Sequence, residues 1–207
     1  MKSNQFNYVV LDKEMMFSTH LDLFSPLGAD LGTLSMLSKV SLKGNEKVLD
    51  LGCGYGFVGI YLKTIYPDIE IHMVDNDPLA IEYARKNIKS NNFDLKVWLS
   101  NGMIDVEDND YDLILSNPPY HEDFSVPKNF IEKGFLKLNI GGSMIMVVKR
   151  LLWYKNKLTS IFGGVQVNEI DGYFVLISEK RSAKQPDKQE KPIKKKHKKR
   201  INRSKRR

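Results

Sequence analysis

The sequence predicts an α/β fold built around a mostly parallel β-sheet. Short apolar runs typical of buried strands alternate along the chain with segments whose apolar residues recur at helical spacing. Glycine-containing turns separate the two kinds of segment, and a hydrophobic content of 42% is sufficient for a packed core. Regular alternation of this kind indicates consecutive βα units whose strands lie in one sheet.

The first 45 residues precede the predicted sheet. Two β-prone runs, 6–11 and 15–19, are separated by three charged residues and predict a small hairpin. The stretch 24–33, which contains Ser, Pro and Gly, then crosses into a helix that carries apolar residues over 34–40 and stops before Gly44. Because this stretch lies just upstream of the first sheet strand, it is either a lid over a ligand or an ordinary connector.

The first βα unit contains the most distinctive turn of the sequence. Residues 48–51 predict a buried strand, and Gly52, Gly54 and Gly56 separate it from a helix predicted over 57–65. Glycines at such a junction tolerate positive φ and leave room for a ligand beside the free N–H groups of the helix start. We therefore predict a cofactor-binding loop.

Asp50 discriminates among possible cofactors. Gly54, Gly56 and Gly59 satisfy the dinucleotide pattern G-x-G-x-x-G, which alone matches often by chance. Asp50 stands two positions before Gly52, where its carboxylate would repel a pyrophosphate but attract the α-amino group of an amino-acid-like cofactor. S-adenosyl-L-methionine fits this pattern better than NAD.

The next strand ends in a second carboxylate. Residues 69–74 predict the strand, and Asp75 follows the glycine turn by about 20 residues, a position that holds a ribose diol in nucleotide-binding folds. We place Asn76 in the same cofactor site, together with Cys53, whose small side chain suits a position between two glycines. The alternative is that Asp50 and Asp75 only cap strand ends.

A further cofactor contact is predicted at the end of the following strand. Asp77 as N-cap and Pro78 as the first helical residue start a helix, and the strand 95–99 comes after it. The amide of Asn101 either hydrogen-bonds the adenine of the cofactor or simply forms the turn before Gly102.

The fourth strand of the series, 111–116, runs directly into Asn-Pro-Pro-Tyr. Asn117 Oδ1 and the Pro118 carbonyl can accept the two hydrogens of an exocyclic amine on a planar ring. Pro119 would stiffen the backbone, and Tyr120 would offer a stacking face. We predict these four residues to be catalytic through orientation of the amine, with Asn117 also touching the cofactor; the alternative is a Pro-Pro turn capped by Asn.

The remaining elements complete the predicted sheet. They are a helix over 130–138, a strand over 141–148, a helix over 153–162 and strands over 165–168 and 173–177. Asp171-Gly172 predicts a hairpin between the last two strands, which makes one strand near the sheet edge antiparallel. Lys149 and Arg150 either meet a phosphate or mark the exit of a strand into solvent.

The charge is unevenly distributed. Residues 182–207 contain 13 Lys or Arg and two Asp or Glu, a balance of +11, whereas residues 1–181 carry −4. The basic segment is almost devoid of apolar residues and predicts a disordered tail. This tail is either an electrostatic tether for RNA, with salt-dependent affinity, or a solubilising segment without a partner.

Composition also narrows location and chemistry. No apolar run approaches the ~20 residues that span a bilayer, and the N-terminus lacks the apolar core of a secretory signal. We expect a cytoplasmic protein that does not bind a membrane. Cys53 is the single cysteine, and the four histidines, His121 among them, are scattered, so neither a disulfide nor a metal site is expected.

These motifs resemble the class I S-adenosylmethionine-dependent methyltransferases, and within them the small-domain group that includes ribosomal RNA guanine-N2 methyltransferases of the C type. The likeness covers residues 6–180. The matching stretches are 50–56 and Asp75 for the cofactor, 117–121 for the amine, Phe24-Ser25-Pro26 with 30–33 upstream, and 171–175 at the closing strand. The resemblance implies a Rossmann-like seven-stranded sheet and methylation of a base amine in RNA, most simply guanine N2 of ribosomal RNA.

The C type also carries a second, degenerate domain at its N-terminus, which this sequence does not show. We expect one methyltransferase domain over 1–181, with the hairpin and lid-like segment in 1–45, and the tail 182–207 in place of the second domain. Alternatives are methylation of adenine N6 in nucleic acid, methylation of glutamine N5 in a protein, and a non-catalytic RNA-binding assembly factor that retains the fold. Cytosine-C5 methylation is disfavoured because Cys53 lies in the cofactor loop.

Overall fold

The structure is a computed structural model that describes residues 3–119 and 124–185. The strands of this part are β1 (Ser3–Val10), β2 (Lys13–His20), β3 (Lys47–Leu51), β4 (Glu70–Asp75), β5 (Lys96–Leu99), β6 (Tyr111–Ser116), β7 (Leu138–Val148), β8 (Gln166–Ile170) and β9 (Tyr173–Glu179). The helices are α1 (Leu31–Leu37), α2 (Phe57–Ile65), α3 (Pro78–Ser90), α4 (Ser125–Lys137) and α5 (Leu151–Phe162). The predictions for Tyr120, His121 and 186–207 concern residues outside these ranges.

Seven strands form one sheet in the order β5-β4-β3-β6-β7-β9-β8. Strands β3 to β7 pair in parallel, and β9 runs antiparallel to both β7 and β8. The predicted Rossmann-like sheet, with one antiparallel strand near its edge, is confirmed. Because the strand order changes direction between β3 and β6, their carboxyl ends meet at the topological switch point where such sheets bind ligands.

Successive residues of the central strands alternate between two apolar clusters. Val48 and Leu113 belong to the cluster that includes residues of α1, α2 and α3, whereas Leu49 and Ile114 belong to the cluster that includes residues of α4 and α5. This alternation follows from the two-residue period of a strand. The helices therefore cover both faces of the sheet, and the strand ends remain accessible.

Strands β1 and β2 form the predicted hairpin. Pairing extends from Ser3↔His20 to Val10↔Lys13, so the turn consists of Leu11 and Asp12, both at positive φ (49° and 59°). Two central residues at positive φ match the strand twist of a hairpin. The turn is thus shorter than the three-residue separation predicted from sequence.

Several predicted boundaries are wrong. Helix α1 ends at Leu37 rather than near Val40, because the backbone N–H of Val40 donates to Leu37 in a tight turn. Strand β7 begins at Leu138 rather than 141, and its glycines form an irregularity within the pairing with β6. A side chain at Gly142 would lie 2.8 Å from the Tyr111 carbonyl oxygen, so glycine permits close strand approach here.

Within the described ranges, no helix combines the length and the apolarity needed to cross a membrane.

Candidate active site

A cavity of about 470 Å³ opens at the carboxyl ends of β3, β4, β5 and β6. The predicted site residues that line it are Asp50, Gly52, Cys53, Gly54, Asp75, Asn76, Asn101, Asn117, Pro118 and Pro119. Gly56 is not among the described lining residues; it is the N-cap of α2, with φ 88°, and a side chain there would lie 3.4 Å from Ala84 Cβ. The fold therefore brings the predicted cofactor and amine groups to one cavity.

The glycine loop has the backbone shape that the sequence predicts. Gly52 and Gly54 lie at φ 79° and 54°, a region that other residues adopt only with strain. The N–H groups of Gly52 and Cys53 both donate to the Val74 carbonyl, at 2.9 and 3.0 Å, which ties the loop to β4. A side chain at Gly54 would meet no atom within 4 Å, so open space lies beside this backbone.

Asp50 is a buried carboxylate with an unsatisfied oxygen. Asp50 is 3% exposed, and none of the described residues donates a hydrogen bond to its Oδ2. Burial, reinforced by the negative charge of Asp75 and opposed by the Gly59 N–H, raises the pKa of Asp50 to about 7. A carboxylate in such surroundings is stabilised by a cationic partner, so the site fits a ligand that brings an ammonium group.

The Asp75 carboxylate is held by backbone groups on both sides. Gly54 N donates to Oδ2 at 2.8 Å, and Asp77 N donates to Oδ1 at 3.0 Å. Each carboxylate oxygen can accept more than one hydrogen bond. Asp75 is therefore oriented by the protein and retains the capacity to accept from ligand hydroxyls.

Cys53 sits in the same loop as a protonated thiol. The residue is 7% exposed, and burial together with the charges of Asp50 and Asp75 raises the pKa of Cys53. A thiol held in this form is a poor nucleophile. Its packing role agrees with the small side chain expected between two glycines.

Carboxylates dominate the charge of the cavity. The acidic lining residues are Asp22, Asp30, Asp50, Asp75 and Asp77, and none of the described lining residues is Lys or Arg. Like charges in a confined cleft favour a cationic ligand and disfavour a phosphate group. This distribution favours an uncharged or cationic cofactor body over a pyrophosphate.

Asn117 lies beside the glycine loop at the end of β6. Strands β3 and β6 are adjacent, with Asp50 opposite Leu115, and Ser116 Oγ donates to the Leu51 carbonyl at 2.8 Å. The side chain of Asn117 is directed by α1: its Nδ2 donates to Asp30 and Thr33. Pro118 is buried and Pro119 exposed in the same turn.

The segment before α1 borders the cavity and is tied down on two sides. The Tyr55 hydroxyl of the glycine loop donates to the Gly28 carbonyl at 3.2 Å. The Pro26 carbonyl accepts from Asn4 Nδ2 at 2.9 Å and from Thr19 Oγ1 at 2.6 Å, so the hairpin supports the segment. Phe24, 53% exposed, lines the cavity; the lid function remains a prediction.

Sequence reasoning gave Asp30 and Thr33 no role in the site. Two sequence signals mark these residues: the spacing of an N-cap carboxylate and the third helical residue, and the resemblance of 30–33 to the upstream signature of the methyltransferase group. Neither signal indicated that the two side chains contact Asn117. Val126 and Phe130 of α4 also line the cavity. Apolar helix residues of this kind have no sequence signal that separates cavity lining from core.

A second cluster of polar side chains lies near the amino end of β4, whereas Asp75 at the carboxyl end of the same strand lines the cavity. Ligand atoms of Glu70, His72 and Asp108 lie within 4.8 Å of one another, an arrangement that the scattered histidines did not predict. Lys47 Nζ is 2.7 Å from Asp108, and Lys96 Nζ is 3.6 Å from Glu70. These ammonium groups would compete with a metal ion for the carboxylates.

Comparisons with known proteins agree with the geometry. The family model described as methyltransferase small domain matches residues 14–178. A Haemophilus influenzae protein named ribosomal RNA small subunit methyltransferase C is 36% identical over 162 residues, which are 76% of this chain and 49% of that protein. An Aeromonas salmonicida protein named ribosomal RNA large subunit methyltransferase G is 31% identical over 171 residues, 79% of this chain and 45% of that protein. The chain spans about half the length of the curated relatives it matches.

Solved structures show the same fold. A 16S rRNA N2 methyltransferase of T. thermophilus, in complex with AdoMet and guanosine, superposes with a TM-score of 0.80 at 26% identity, over 87% of this chain and 51% of that one. A methyltransferase from Pyrococcus furiosus gives a TM-score of 0.64 at 24% identity, over 76% of this chain and 87% of that one.

Proposed function

Because the chain belongs to the methyltransferase small domain family, we propose that it transfers a methyl group from S-adenosyl-L-methionine to an exocyclic amino nitrogen of a base in ribosomal RNA. One observation carries the proposal: the unsatisfied carboxylate of Asp50 and the amide of Asn117 lie at the ends of adjacent strands and line one cavity. A cationic donor and an amine acceptor can therefore be held side by side.

The residues at the ends of β3 and β4 fit the cofactor. Asp50 suits the α-amino group, because this buried carboxylate lacks a cationic partner among the described residues. Asp75 suits the ribose hydroxyls, since backbone N–H groups orient both its oxygens. Asn76 and Asn101 border the cavity where the base of the cofactor would lie. S-adenosyl-L-methionine, when bound, supplies an electrophilic methyl group.

The turn after β6 fits the target amine. Asn117 Oδ1 and the Pro118 carbonyl would accept the two amine hydrogens, which directs the nitrogen lone pair away from them. Pro119 restrains the turn, and Tyr120 is proposed as the stacking face for the base. A strong general base is not needed, because the nitrogen loses a proton readily once it is alkylated; orientation supplies most of the acceleration.

Guanine N2 is the proposed target atom. The relative named small subunit methyltransferase C and the solved N2 methyltransferase with guanosine support this choice. Adenine N6 would meet the same acceptors, so the base must be tested directly. Action on ribosomal RNA would place the protein in the cytoplasm, as expected from the sequence.

The basic segment 182–207 is proposed as a tether for RNA. Its charge balance of +11 would release counterions from the RNA backbone on binding. A chain ending at Arg181 should bind RNA more weakly and with a flatter dependence on salt. An unchanged salt slope would contradict the tether.

The experiment combines the purified full chain with isotopically labelled S-adenosyl-L-methionine and, separately, naked ribosomal RNA and ribosomal subunits that lack the modification. Digestion to nucleosides and mass spectrometry should reveal N2-methylguanosine. N6-methyladenosine would replace the proposed base, and label in protein alone would indicate glutamine methylation. Absence of both label and cofactor binding would favour the non-catalytic assembly factor. Asn117→Ala serves as the control that binds cofactor without transfer.

A further inference from the structure

The amide of Asn117 is held by two acceptors from the first turn of α1. Its Nδ2 donates to Asp30 Oδ2 at 3.1 Å and to Thr33 Oγ1 at 3.0 Å. We propose that Asp30 and Thr33 are positioning residues that fix which end of the Asn117 amide faces the substrate. The inference rests on the proposed function of Asn117 as an acceptor for the target amine.

The two acceptors are themselves held in place. Asp30 caps α1, because its Oδ2 accepts from the Thr33 backbone N–H at 2.8 Å and from Thr33 Oγ1 at 3.2 Å. A hydroxyl has one hydrogen, and here it points to the carboxylate. The lone pairs of Thr33 Oγ1 are therefore available to Asn117, so the hydroxyl acts toward Asn117 only as an acceptor.

This arrangement makes the orientation of the amide one-sided. The two ends of an asparagine amide are nearly identical in shape and differ in hydrogen bonding. A half-turn of the amide would place Oδ1 of Asn117 against the Asp30 carboxylate, which can only accept, so that hydrogen bond would be replaced by repulsion. Thr33 could donate to Oδ1 only by giving up its own hydrogen bond to Asp30. It would also direct a donor toward a substrate amine that is itself a donor. Only the observed orientation can accept from that amine.

The first turn of α1 has little freedom to relax away from Asn117. A side chain at Gly32 would lie 2.7 Å from Tyr173 Cε1 and 3.0 Å from Asp30 Oδ2. The helix start is therefore packed directly against β9 of the sheet. Asn117 follows β6 of the same sheet, so both partners of the contact are anchored to one rigid framework.

The chain offers a variant that removes one acceptor and leaves the cap. Thr33→Val deletes the hydroxyl with little change in shape, whereas the capping bond uses the backbone N–H. Thr33→Ser keeps a hydroxyl. Ser35→Ala is the matched control: Ser35 is also in α1 and 4% exposed, but its Oγ donates to the Leu31 carbonyl.

The first measurement compares turnover with cofactor affinity. In Thr33→Val, kcat should fall roughly three- to tenfold, the effect of one neutral hydrogen bond. The cofactor Kd should stay within about twofold and Thr33→Ser should restore turnover, since the change acts through Asn117. Ser35→Ala should leave kcat at the wild-type level. A Thr33→Val variant with wild-type kcat, or with a parallel loss of cofactor affinity, would overturn the inference.

A double variant separates positioning from a general structural effect. If Thr33 acts only through Asn117, adding Thr33→Val to Asn117→Ala should lower the residual rate no further. An equal fold-loss in both backgrounds would show that Thr33 acts independently of Asn117.

A third measurement does not depend on methyl transfer. The Asn117 side-chain amide signal can be identified in ¹⁵N spectra by its disappearance in Asn117→Ala. Its hydrogen exchange should be slow in the wild type, faster in Thr33→Val and unchanged in Ser35→Ala. If the wild-type chain methylates no RNA, the proposed function fails while this signal still reports on the contact. Unchanged exchange in Thr33→Val would overturn the positioning role.

Discussion

The two halves of the cavity satisfy their polar groups in different ways. In the cofactor half, Asp50 is buried and its Oδ2 has no donor among the described residues. In the amine half, Asn117 is already hydrogen-bonded to Asp30 and Thr33. Among the described residues, the ionised Asp50 carboxylate has no cationic partner and would be stabilised by a ligand that brings one, whereas Asn117 is oriented by hydrogen bonds within the protein itself.

This difference separates binding from catalysis. A buried carboxylate without a partner is stabilised when a cationic group of the ligand binds to it, so Asp50 should contribute mainly to cofactor affinity. A preoriented acceptor gains little from binding but keeps the reacting nitrogen in one geometry, so Asn117 should contribute mainly to rate. Substitutions at Asn117 and at Asp50 should therefore separate the two effects.

The largest effect is expected in the amine half. Asn117→Ala removes the oriented acceptor and should lower kcat by about 100-fold or more, by analogy with the loss of a preorganised hydrogen-bond group. The cofactor Kd should change by no more than about twofold. Single-turnover rates and calorimetric titration measure the two quantities. Equal losses in rate and affinity would contradict the separation of the halves.

Asp50→Asn is expected to show the reverse pattern, a loss of cofactor affinity in place of a loss of kcat. Cofactor affinity should fall roughly tenfold to a hundredfold, because a charge-assisted hydrogen bond is lost. The free chain should become more stable above pH 7, by an amount on the order of 1–4 kcal/mol, since a buried charge disappears. Chemical denaturation without cofactor measures the second quantity. A variant that is destabilised under these conditions would contradict the account of Asp50.

The raised pKa also predicts a pH dependence. The folded-state pKa of Asp50 is about 7, which exceeds its usual value. The folded chain therefore binds the Asp50 proton more tightly than the unfolded chain does, and protonation stabilises the fold. The stability of the free chain should therefore decrease as pH rises from about 4 to about 7 and show no further Asp50 effect above that. Cofactor affinity should show the opposite trend, rising up to tenfold per unit below pH 7 and levelling above it. Asp50→Asn should abolish both trends.

The smallest effect is expected at the back of α1. Gly32→Ala would place a methyl group 2.7 Å from Tyr173 Cε1, which should displace the helix start, lower stability by about 1–3 kcal/mol and reduce kcat several-fold. Gly28→Ala is the control, because a side chain there meets no atom within 4 Å. Both the melting temperature and kcat should be lower in Gly32→Ala than in Gly28→Ala. Identical behaviour would show that the close packing at Gly32 is unimportant.

Much of the cavity could be predicted because its components are local. A buried strand followed by glycines predicts a ligand-binding turn from a few residues, and the parallel arrangement of the strands brings their ends together. Asp50, Asp75 and Asn117 follow from this reasoning, and all three line one cavity. The boundaries of α1 and β7 were less predictable, since tight turns and strand pairing override local spacing.

The sequence by itself determined the order of strands and helices, the glycine turn and the residue types at the strand ends, because these depend on neighbouring residues. Only the tertiary structure decided that Asp50 is almost completely buried and that Asp30 holds Asn117 across 87 residues of sequence. Burial and hydrogen bonding between distant segments depend on how helices pack against the sheet. Packing of that kind is a property of the whole fold, and no local pattern encodes it.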